Sequence, residues 1–309
     1  MTIDMRTALT DYLRLRRGLG FSLCRGEKLL VQFLDYLDEL GRSEFTVDDA
    51  LAWAKLPEPA SPGWLGGRLT VVRGFAAYLH CLDSSVPAIP PGLLPGRGRR
   101  VVPYLYSDED LVALLRQTET LKTPLRAATM RTLVGLLAVT GIRLSEALAV
   151  DDGDFGVDAG MLLVLHGKFG KQRLLPLHPS TVEALTAYRT IRDEWFPIPV
   201  SPALLVSQAG TRLLVSNVEL TFARLARRVG LAPRSPSCRP RIHDLRHAFA
   251  VRTLLKWYRD AGDIDARMPL LSTYLGHVSP KNTYWYLDAA PELMAEAARR
   301  LQPPSQEQS

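Results

Sequence analysis

Apolar residues recur at helical spacing through the N-terminal quarter of the chain. The clearest stripe consists of Leu30, Phe33, Leu34, Leu37 and Leu40. Gly41 follows that stripe at the position where glycine commonly ends a helix. Thr46 and Asp49 have the spacing of a helix start whose first N–H groups are capped by side chains. With a further helical segment on either side, the pattern predicts a bundle of four helices up to about residue 83.

The rest of the chain mixes helical and strand patterns. Residues 125–139 are apolar nearly all round, which predicts a buried central helix that Gly141 ends. Residues 161–166 and 172–177 are short and mostly apolar, and glycines at both ends of their connection predict a β-hairpin. Residues 181–195 are amphipathic at helical spacing. The chain is therefore predicted to be mainly α with a small β-sheet.

Another amphipathic helix is predicted at residues 216–229. Ser216 and Glu219 form a second candidate capping pair at its start. The apolar stripe of this helix is Val218, Phe222, Leu225 and Val229. The opposite face has three basic residues, Arg224, Arg227 and Arg228. A helix with one apolar and one basic face fits a DNA groove, or its basic face is simply solvated.

Prolines and basic residues separate the two halves of the chain. Residues 84–103 contain five prolines, and this stretch also includes Arg97, Arg99 and Arg100. Such a composition cannot build a core and predicts a linker, which could follow a DNA backbone or serve as an ordinary tether. The predicted organisation is a helical domain at 1–85, a linker at 86–106, a second domain at 107–302 and a disordered tail at 303–309. Arg68 and Arg73 of the first domain are further candidates for phosphate contacts.

Composition restricts the class of protein. The formal net charge of +6 and the pI near 9.3 weakly favour a polyanionic partner. The three cysteines, Cys24, Cys81 and Cys238, are scattered and odd in number, which indicates a reducing compartment and argues against a disulfide framework. No stretch has the apolar length needed to cross a bilayer, and the first residues lack the features of a secretory signal.

Candidate chemistry is concentrated in basic residues that precede two tyrosines. The basic set is Arg143, Lys168, His243, Arg246 and His277, and the tyrosines are Tyr284 and Tyr286. Two arginines can hold both non-bridging oxygens of a phosphate, because the planar guanidinium donates paired hydrogen bonds and stays protonated. Cations close to a phenol favour the phenolate, which makes the tyrosine a nucleophile able to attack a phosphate. Residues two positions apart on a helix point in different directions, so only one of the two tyrosines can face that phosphate.

At these residues the chain resembles the tyrosine recombinases, the family of phage lambda integrase and of the Xer and Cre proteins. The resemblance extends from about Ser107 to Leu301 and is weaker before that range. It implies a helical core-binding domain of the SAM-like type followed by a mixed α/β catalytic domain. Tyr286 follows His277 by nine positions, which is the separation found in the family. The resemblance therefore favours Tyr286 over Tyr284 as the nucleophile.

The resemblance also implies roles for the remaining residues. Lys168 would protonate the leaving 5′ oxygen, with Lys171 as the neighbour that could be confused with it. His243 would handle the tyrosine proton or bond the phosphate, and His277 would be a second phosphate donor. Glu146 is interpreted as a structural residue that orients polar groups. The expected product is a 3′-phosphotyrosyl bond, made without a metal, a cofactor or ATP.

Double-stranded DNA is the implied partner, bound by four subunits at two sites, with the segment from Pro291 docking on a neighbouring subunit. Other recombinases or accessory proteins are further candidate partners, a membrane is not, and the expected location is the cytoplasm at the nucleoid. Two alternative functions stay open: a type IB topoisomerase-like nicking–closing enzyme, and a DNA-binding protein that does not cleave. His243 and His247 have the spacing of a helical zinc pair, but Asp244 replaces the expected glutamate and no third ligand is obvious.

Overall fold

The chain divides into two compact units, residues 1–100 and 101–309. The computed structural model describes residues 4–95, 102–165, 172–260, 263–277, 279, 283–286, 293, 294 and 296. Within those residues, no helix is both long enough and apolar enough to span a bilayer.

Over residues 4–95 the first unit contains four helices, as the apolar spacing predicts. They are α1 (Met5–Gly18), α2 (Cys24–Glu39), α3 (Val47–Lys55) and α4 (Pro62–Leu82). The largest buried side chains of its core are Phe33, Trp53 and Phe75. Thr46 and Asp49 cap α3 reciprocally, so the predicted capping box is confirmed.

Arg68 lies inside the first unit and does not face solvent. Its Nη2 donates to the backbone oxygen of Trp53 at 2.9 Å, and its guanidinium lies 3.7 Å from the centroid of the Trp53 ring. A guanidinium held in this way is poorly placed to reach a phosphate, so the structure does not favour the predicted DNA contact of Arg68, which stays a prediction. Arg73 is half-buried and donates from Nε to the Ile89 carbonyl at 3.2 Å.

Both ends of the predicted linker contribute buried side chains. Ile89 belongs to the core of the first unit, and Tyr104 and Tyr106 belong to the core of the second. The Tyr106 hydroxyl also donates to the Arg241 carbonyl at 2.9 Å. The basic residues of the linker, Arg97, Arg99 and Arg100, lie outside the described residues.

The second unit is mainly helical with one small sheet, which confirms the predicted fold class. Its helices are α5 (Asp108–Gln117), α6 (Pro124–Thr140), α7 (Leu144–Ala149), α8 (Pro179–Trp195), α9 (Val215–Arg228), α10 (Asp244–Arg259) and α11 (Ile264–Leu275). Its strands are β1 (Phe155–Gly156), β2 (Met161–Val164) and β3 (Arg173–Pro176), paired antiparallel in the order β1-β2-β3. The β2–β3 pair is the predicted hairpin, and the short β1 was not predicted.

Helix α6 is the central helix of the second unit. It is buried along most of its length and packs against α8 and α10. Gly141 ends it with φ of +61°, a conformation that glycine adopts without steric cost. A Cβ at this position would lie 2.5 Å from the Phe249 ring, so the turn also requires the absence of a side chain. The turn then enters α7 through Arg143.

Helix α9 confirms the predicted apolar stripe but not the predicted cap. The stripe is buried or partly buried, and the arginines on the opposite face are exposed. The helix begins at Val215, and no side chain caps it. The Ser216–Glu219 capping box is therefore wrong, because Ser216 already lies within the first turn.

Candidate active site

Arg246 occupies the first turn of α10 and is almost completely buried, at 3% exposed. Its Nη1 donates to the Gly141 carbonyl and its Nη2 to the Leu275 carbonyl, each at 2.7 Å. These two bonds fix the plane of the guanidinium between the end of α6 and the end of α11. Burial lowers the pKa of Arg246 to about 10, and an interaction with the Tyr286 hydroxyl opposes that shift. The side chain therefore stays cationic at neutral pH.

Arg143 lies beside Arg246 in the turn between α6 and α7. Its Nη2 donates to the Gly276 carbonyl at 2.8 Å and its Nη1 to Glu146 Oε1 at 2.6 Å. The Arg143 side chain is partly exposed, so a ligand can reach its remaining N–H groups. The turn from α6 thus places a second cation next to the first, which is the pairing that the sequence predicts for a phosphate.

Glu146 is buried and accepts hydrogen bonds from two arginines. It accepts from the Arg143 backbone N–H at 3.2 Å and from Arg173 Nη2 at 2.7 Å, in addition to the Arg143 side chain. Burial raises the pKa of Glu146, but the hydrogen bonds and charges of Arg173 and Arg143 outweigh it and lower the pKa overall. The contacts agree with the interpretation of Glu146 as an orienting residue.

Tyr286 is directed into this cationic cluster, and Tyr284 is not. The Tyr286 side chain is 2% exposed, and its hydroxyl interacts with the Arg246 guanidinium. Its ring is stacked with His277 at a centroid distance of 5.9 Å and meets the edge of His247 at 5.4 Å. Tyr284, in contrast, is 44% exposed. This difference supports the choice of Tyr286 from the spacing of nine residues.

His243 and His277 flank the two arginines and are held neutral. His243 immediately precedes α10 and is exposed as a residue. Desolvation by neighbouring protein atoms, and then the charge of Arg246, lower the pKa of its ring. Burial, and then the charges of Arg246 and Arg143, lower the pKa of His277 to about 3. His277 Nδ1 is 2.7 Å from Thr283 Oγ1, a hydrogen bond that fixes the orientation of the ring.

His247 lies between His243 and the tyrosine. Its ring is 5.4 Å from His243 and 5.1 Å from Trp285, and its buried Nδ1 has no hydrogen-bond partner among the described residues. Burial and the neighbouring His243 lower the pKa of His247 to about 3. Among the described residues, no group of three or more His, Cys, Asp or Glu could hold a metal ion, so the pair with His243 has no third ligand there.

The two lowered histidine pKa values predict a loss of stability in mild acid. The unfolded chain takes up protons on His247 and His277 below pH 6.5, while the folded chain does not until about pH 3, so the free energy of unfolding should fall with pH between these values. Each histidine lowers the free energy of unfolding by at most about 1.4 kcal/mol per pH unit, and by less where solvent screens its charge. Urea unfolding between pH 7 and 5 tests this, with His247→Leu as the variant that should flatten the slope. An unchanged slope in that variant would contradict it.

The lysine predicted to protonate the leaving group lies outside the described residues, as does its neighbour Lys171. The strands β2 and β3 on either side of it are described. Val164 pairs with Arg173, the described pair nearest the connection between the two strands. Arg173, which the sequence analysis did not single out, bonds both Glu146 and the Tyr274 carbonyl. No motif marks it, because its partners are distant in the chain.

Comparison with known proteins agrees with this arrangement. Residues 105–292 match the model of the phage integrase family. The chain belongs to the phage integrase family. The Sinorhizobium fredii protein y4rB, named as an integrase/recombinase, is 43% identical over 305 residues, which cover 96% of each chain. The tyrosine recombinase XerC of Vibrio campbellii is 27% identical over 287 residues, covering 90% of this chain and 86% of XerC.

Solved structures of similar fold include two integrases. The Tn1549 transposon integrase, in complex with transposon right end DNA, has a TM-score of 0.66 at 17% identity and covers 97% of this chain and 99% of its own. A lambda integrase dimer bound to a COC′ core site has a TM-score of 0.58 at 16% identity and covers 94% and 97%. The predicted family and the enzyme class, a tyrosine recombinase that cleaves and rejoins DNA strands, are thereby confirmed.

Proposed function

We propose that this phage integrase family member is a site-specific DNA recombinase in which Tyr286 attacks the scissile phosphate between Arg143 and Arg246. The observation that supports this proposal most directly is the burial of the Tyr286 side chain, 2% exposed, with its ring stacked on His277 beside the buried Arg246 guanidinium. A phenol beside fixed cations is suited to attack a phosphate, because the same cations meet the charge that develops on the phosphate oxygens.

The proposed roles give the following first half of the reaction. The Tyr286 oxygen forms a bond to phosphorus while the bond from phosphorus to the 5′ oxygen breaks. The two guanidinium groups meet the charge that develops on the non-bridging oxygens, and their orientation is set in advance by bonds to backbone carbonyls and Glu146. His243 takes up the phenol proton, and Lys168 gives a proton to the 5′ oxygen.

The second half is the reverse of the first. A 5′-hydroxyl from the partner strand attacks the 3′-phosphotyrosyl bond and releases Tyr286. One phosphate ester replaces another at each step, so the exchange conserves bond energy and does not consume ATP.

The experiment that tests this function is covalent trapping on DNA that flanks the gene. Purified protein is mixed with the flanking fragments and denatured with detergent, and the ends of protein-linked DNA are sequenced. We expect tyrosine-linked 3′ ends at one defined position and free 5′-hydroxyls opposite them. DNA that is bound without any covalent product would support the non-cleaving alternative. Relaxation of supercoils without exchanged products from two sites would support the topoisomerase alternative.

The exposed arginines of α9 are proposed to contact the DNA. Arg224, Arg227 and Arg228 lie opposite the buried stripe of the helix, at a spacing that keeps them on one face. Arg73 is proposed only as an indirect contributor, because its guanidinium is bonded to Ile89. The basic linker arginines stay candidates from their sequence alone.

Replacing Arg224 and Arg227 together with alanine should weaken DNA binding and reduce its salt dependence. Each phosphate contact contributes about 0.9 to the slope of log K against log salt, so the slope should fall by about two. Lys256 is exposed on α10, and Lys256→Ala, which removes a single charge elsewhere, should leave the slope nearly unchanged. An unchanged slope in the α9 variant would show that its basic face is only solvated.

The assembly is proposed to be a tetramer on two duplex sites, with the C-terminal segment exchanged between subunits. Leu293 of that segment is buried against residues of α10 and α11, and Glu296 accepts from Arg259 Nε at 3.5 Å. The surface of α10 and α11 can thus hold an apolar side chain from this segment, and the same contact between subunits would link the tetramer. Accessory recombinases and a location at the nucleoid are part of the same proposal.

A further inference from the structure

Three arginines from three different elements bond the last three carbonyls at the end of α11. The pairs are Arg173 Nε with Tyr274 at 2.9 Å, Arg246 Nη2 with Leu275 at 2.7 Å and Arg143 Nη2 with Gly276 at 2.8 Å. The last carbonyls of a helix have no partner within the helix and carry partial negative charge. The carbonyls at the end of α11 thus hold the three arginine side chains in fixed positions.

Arg173 differs from the other two in how its donors are used. Nε bonds Tyr274 and Nη2 bonds Glu146, while Nη1 packs against Gly276, where a Cβ would lie only 2.8 Å away. Its side chain is 12% exposed. Protein acceptors thus take up Nε and Nη2, and Nη1 lies close to Gly276, so Arg173 is poorly placed to touch a phosphate itself.

Glu146 connects Arg173 to the catalytic pair. One carboxylate oxygen accepts from Arg173 at 2.7 Å and the other from Arg143 at 2.6 Å. If Arg173 were absent, the buried carboxylate would keep a single cationic partner. The Arg143 guanidinium would then be drawn towards Glu146 and away from Gly276, since an uncompensated buried charge is strongly unfavourable.

We propose that Arg173 is a positioning residue for strand cleavage, which holds the Arg143 guanidinium in place through Glu146 and the end of α11. The inference rests on the proposed function of Arg143 at the scissile phosphate. Arg173 acts on the charge of the non-bridging oxygens only through Arg143. It does not act on the proton given to the leaving group.

The kinetic test compares Arg173→Met with Arg131→Met. Arg131 is a matched control because it also bonds a carboxylate, Glu119 at 2.9 Å, and a carbonyl, Leu115 at 3.4 Å, but on the exposed side of α6. Single-turnover cleavage is measured at saturating protein on a nicked duplex that carries the mapped site. We expect Arg173→Met to cleave about 100-fold more slowly than wild type, the loss typical of a misplaced catalytic group, and Arg131→Met to cleave normally.

Two modified substrates distinguish the route by which Arg173 acts. A methylphosphonate at the scissile position has one charged oxygen fewer, so the defect of Arg173→Met should shrink to less than about 10-fold. A bridging 5′-phosphorothiolate leaves without a proton, so it should not reduce the defect. Rescue by the phosphorothiolate, or an equal defect on all three substrates, would overturn the proposal.

A conservative variant and a crystal structure test the same role of Arg173. Arg173→Lys keeps the charge but cannot make all three contacts, and it should fall between wild type and Arg173→Met in rate while keeping a near-normal melting temperature. A crystal structure of Arg173→Met or Arg173→Lys reads out the proposal without any activity: Arg143 Nη2 should move out of hydrogen-bond range of the Gly276 carbonyl. An unmoved Arg143 would overturn the proposal, whereas a wild-type protein that forms no covalent adduct would count against the proposed function alone.

Discussion

Tyr286→Phe is expected to abolish the covalent adduct with DNA and to leave DNA binding nearly intact. The variant loses only the hydroxyl that interacts with Arg246, while its ring can keep the stacking on His277 and the edge contact with His247. Gel analysis of detergent-treated complexes on a nicked duplex measures the adduct, and filter binding or mobility shift measures affinity.

Tyr284→Phe is the matched control for that experiment. Tyr284 is two positions away in the same short helical stretch but is 44% exposed, so the loss of its hydroxyl should leave adduct formation unchanged. If Tyr284→Phe removed the adduct and Tyr286→Phe kept it, the assignment of the nucleophile would be reversed.

Arg246→Ala is expected to slow cleavage by about two to three orders of magnitude, the effect of removing one donor aimed at developing charge. The buried guanidinium is fixed on both sides by carbonyls, so no neighbouring side chain can take its place without rearranging α6 and α11. The truncation also leaves those carbonyls without their donor, which costs about 1–3 kcal/mol for each buried group. Stability must therefore be measured together with the cleavage rate.

Arg246→Lys separates the two effects. It keeps the cation but replaces the planar fork with a point charge that cannot bond both carbonyls and a phosphate. We expect a folded protein whose cleavage rate is still at least about tenfold below wild type. A rate close to that of wild type would show that Arg246 serves the fold and not the transition state.

Local patterns in the sequence predicted helices of the first unit and several of the elements that carry the site in the second. The apolar stripe before Gly41, the continuous apolar run before Gly141 and the hairpin each rest on periods of a few residues, and the structure has an element at each place. His243 and Arg246, three positions apart, both lie at the start of α10. Spacing also selected the buried Tyr286 over the exposed Tyr284.

Contacts between distant residues were beyond the reach of such patterns. The bond from Arg143 to Gly276 spans 133 positions and that from Arg173 to Tyr274 spans 101, so neither leaves a local signal. Arg68 shows the converse error, because its charge suggested a surface residue while two nearby tryptophans provide an interior site for its guanidinium. Tryptophans close to Arg68 in the sequence, Trp64 among them, were the signal that could have indicated this.

The burial of the Tyr286 side chain, 2% exposed, has a consequence for the timing of the reaction. Because a phosphodiester cannot reach a covered oxygen, contact with arbitrary duplex is insufficient to break it. If Tyr286 is the nucleophile, we expect part of the free energy gained on a correct target to go into exposing its hydroxyl. Sequences that bind weakly would then dissociate unbroken, and fidelity would come from this opening step as well as from base contacts.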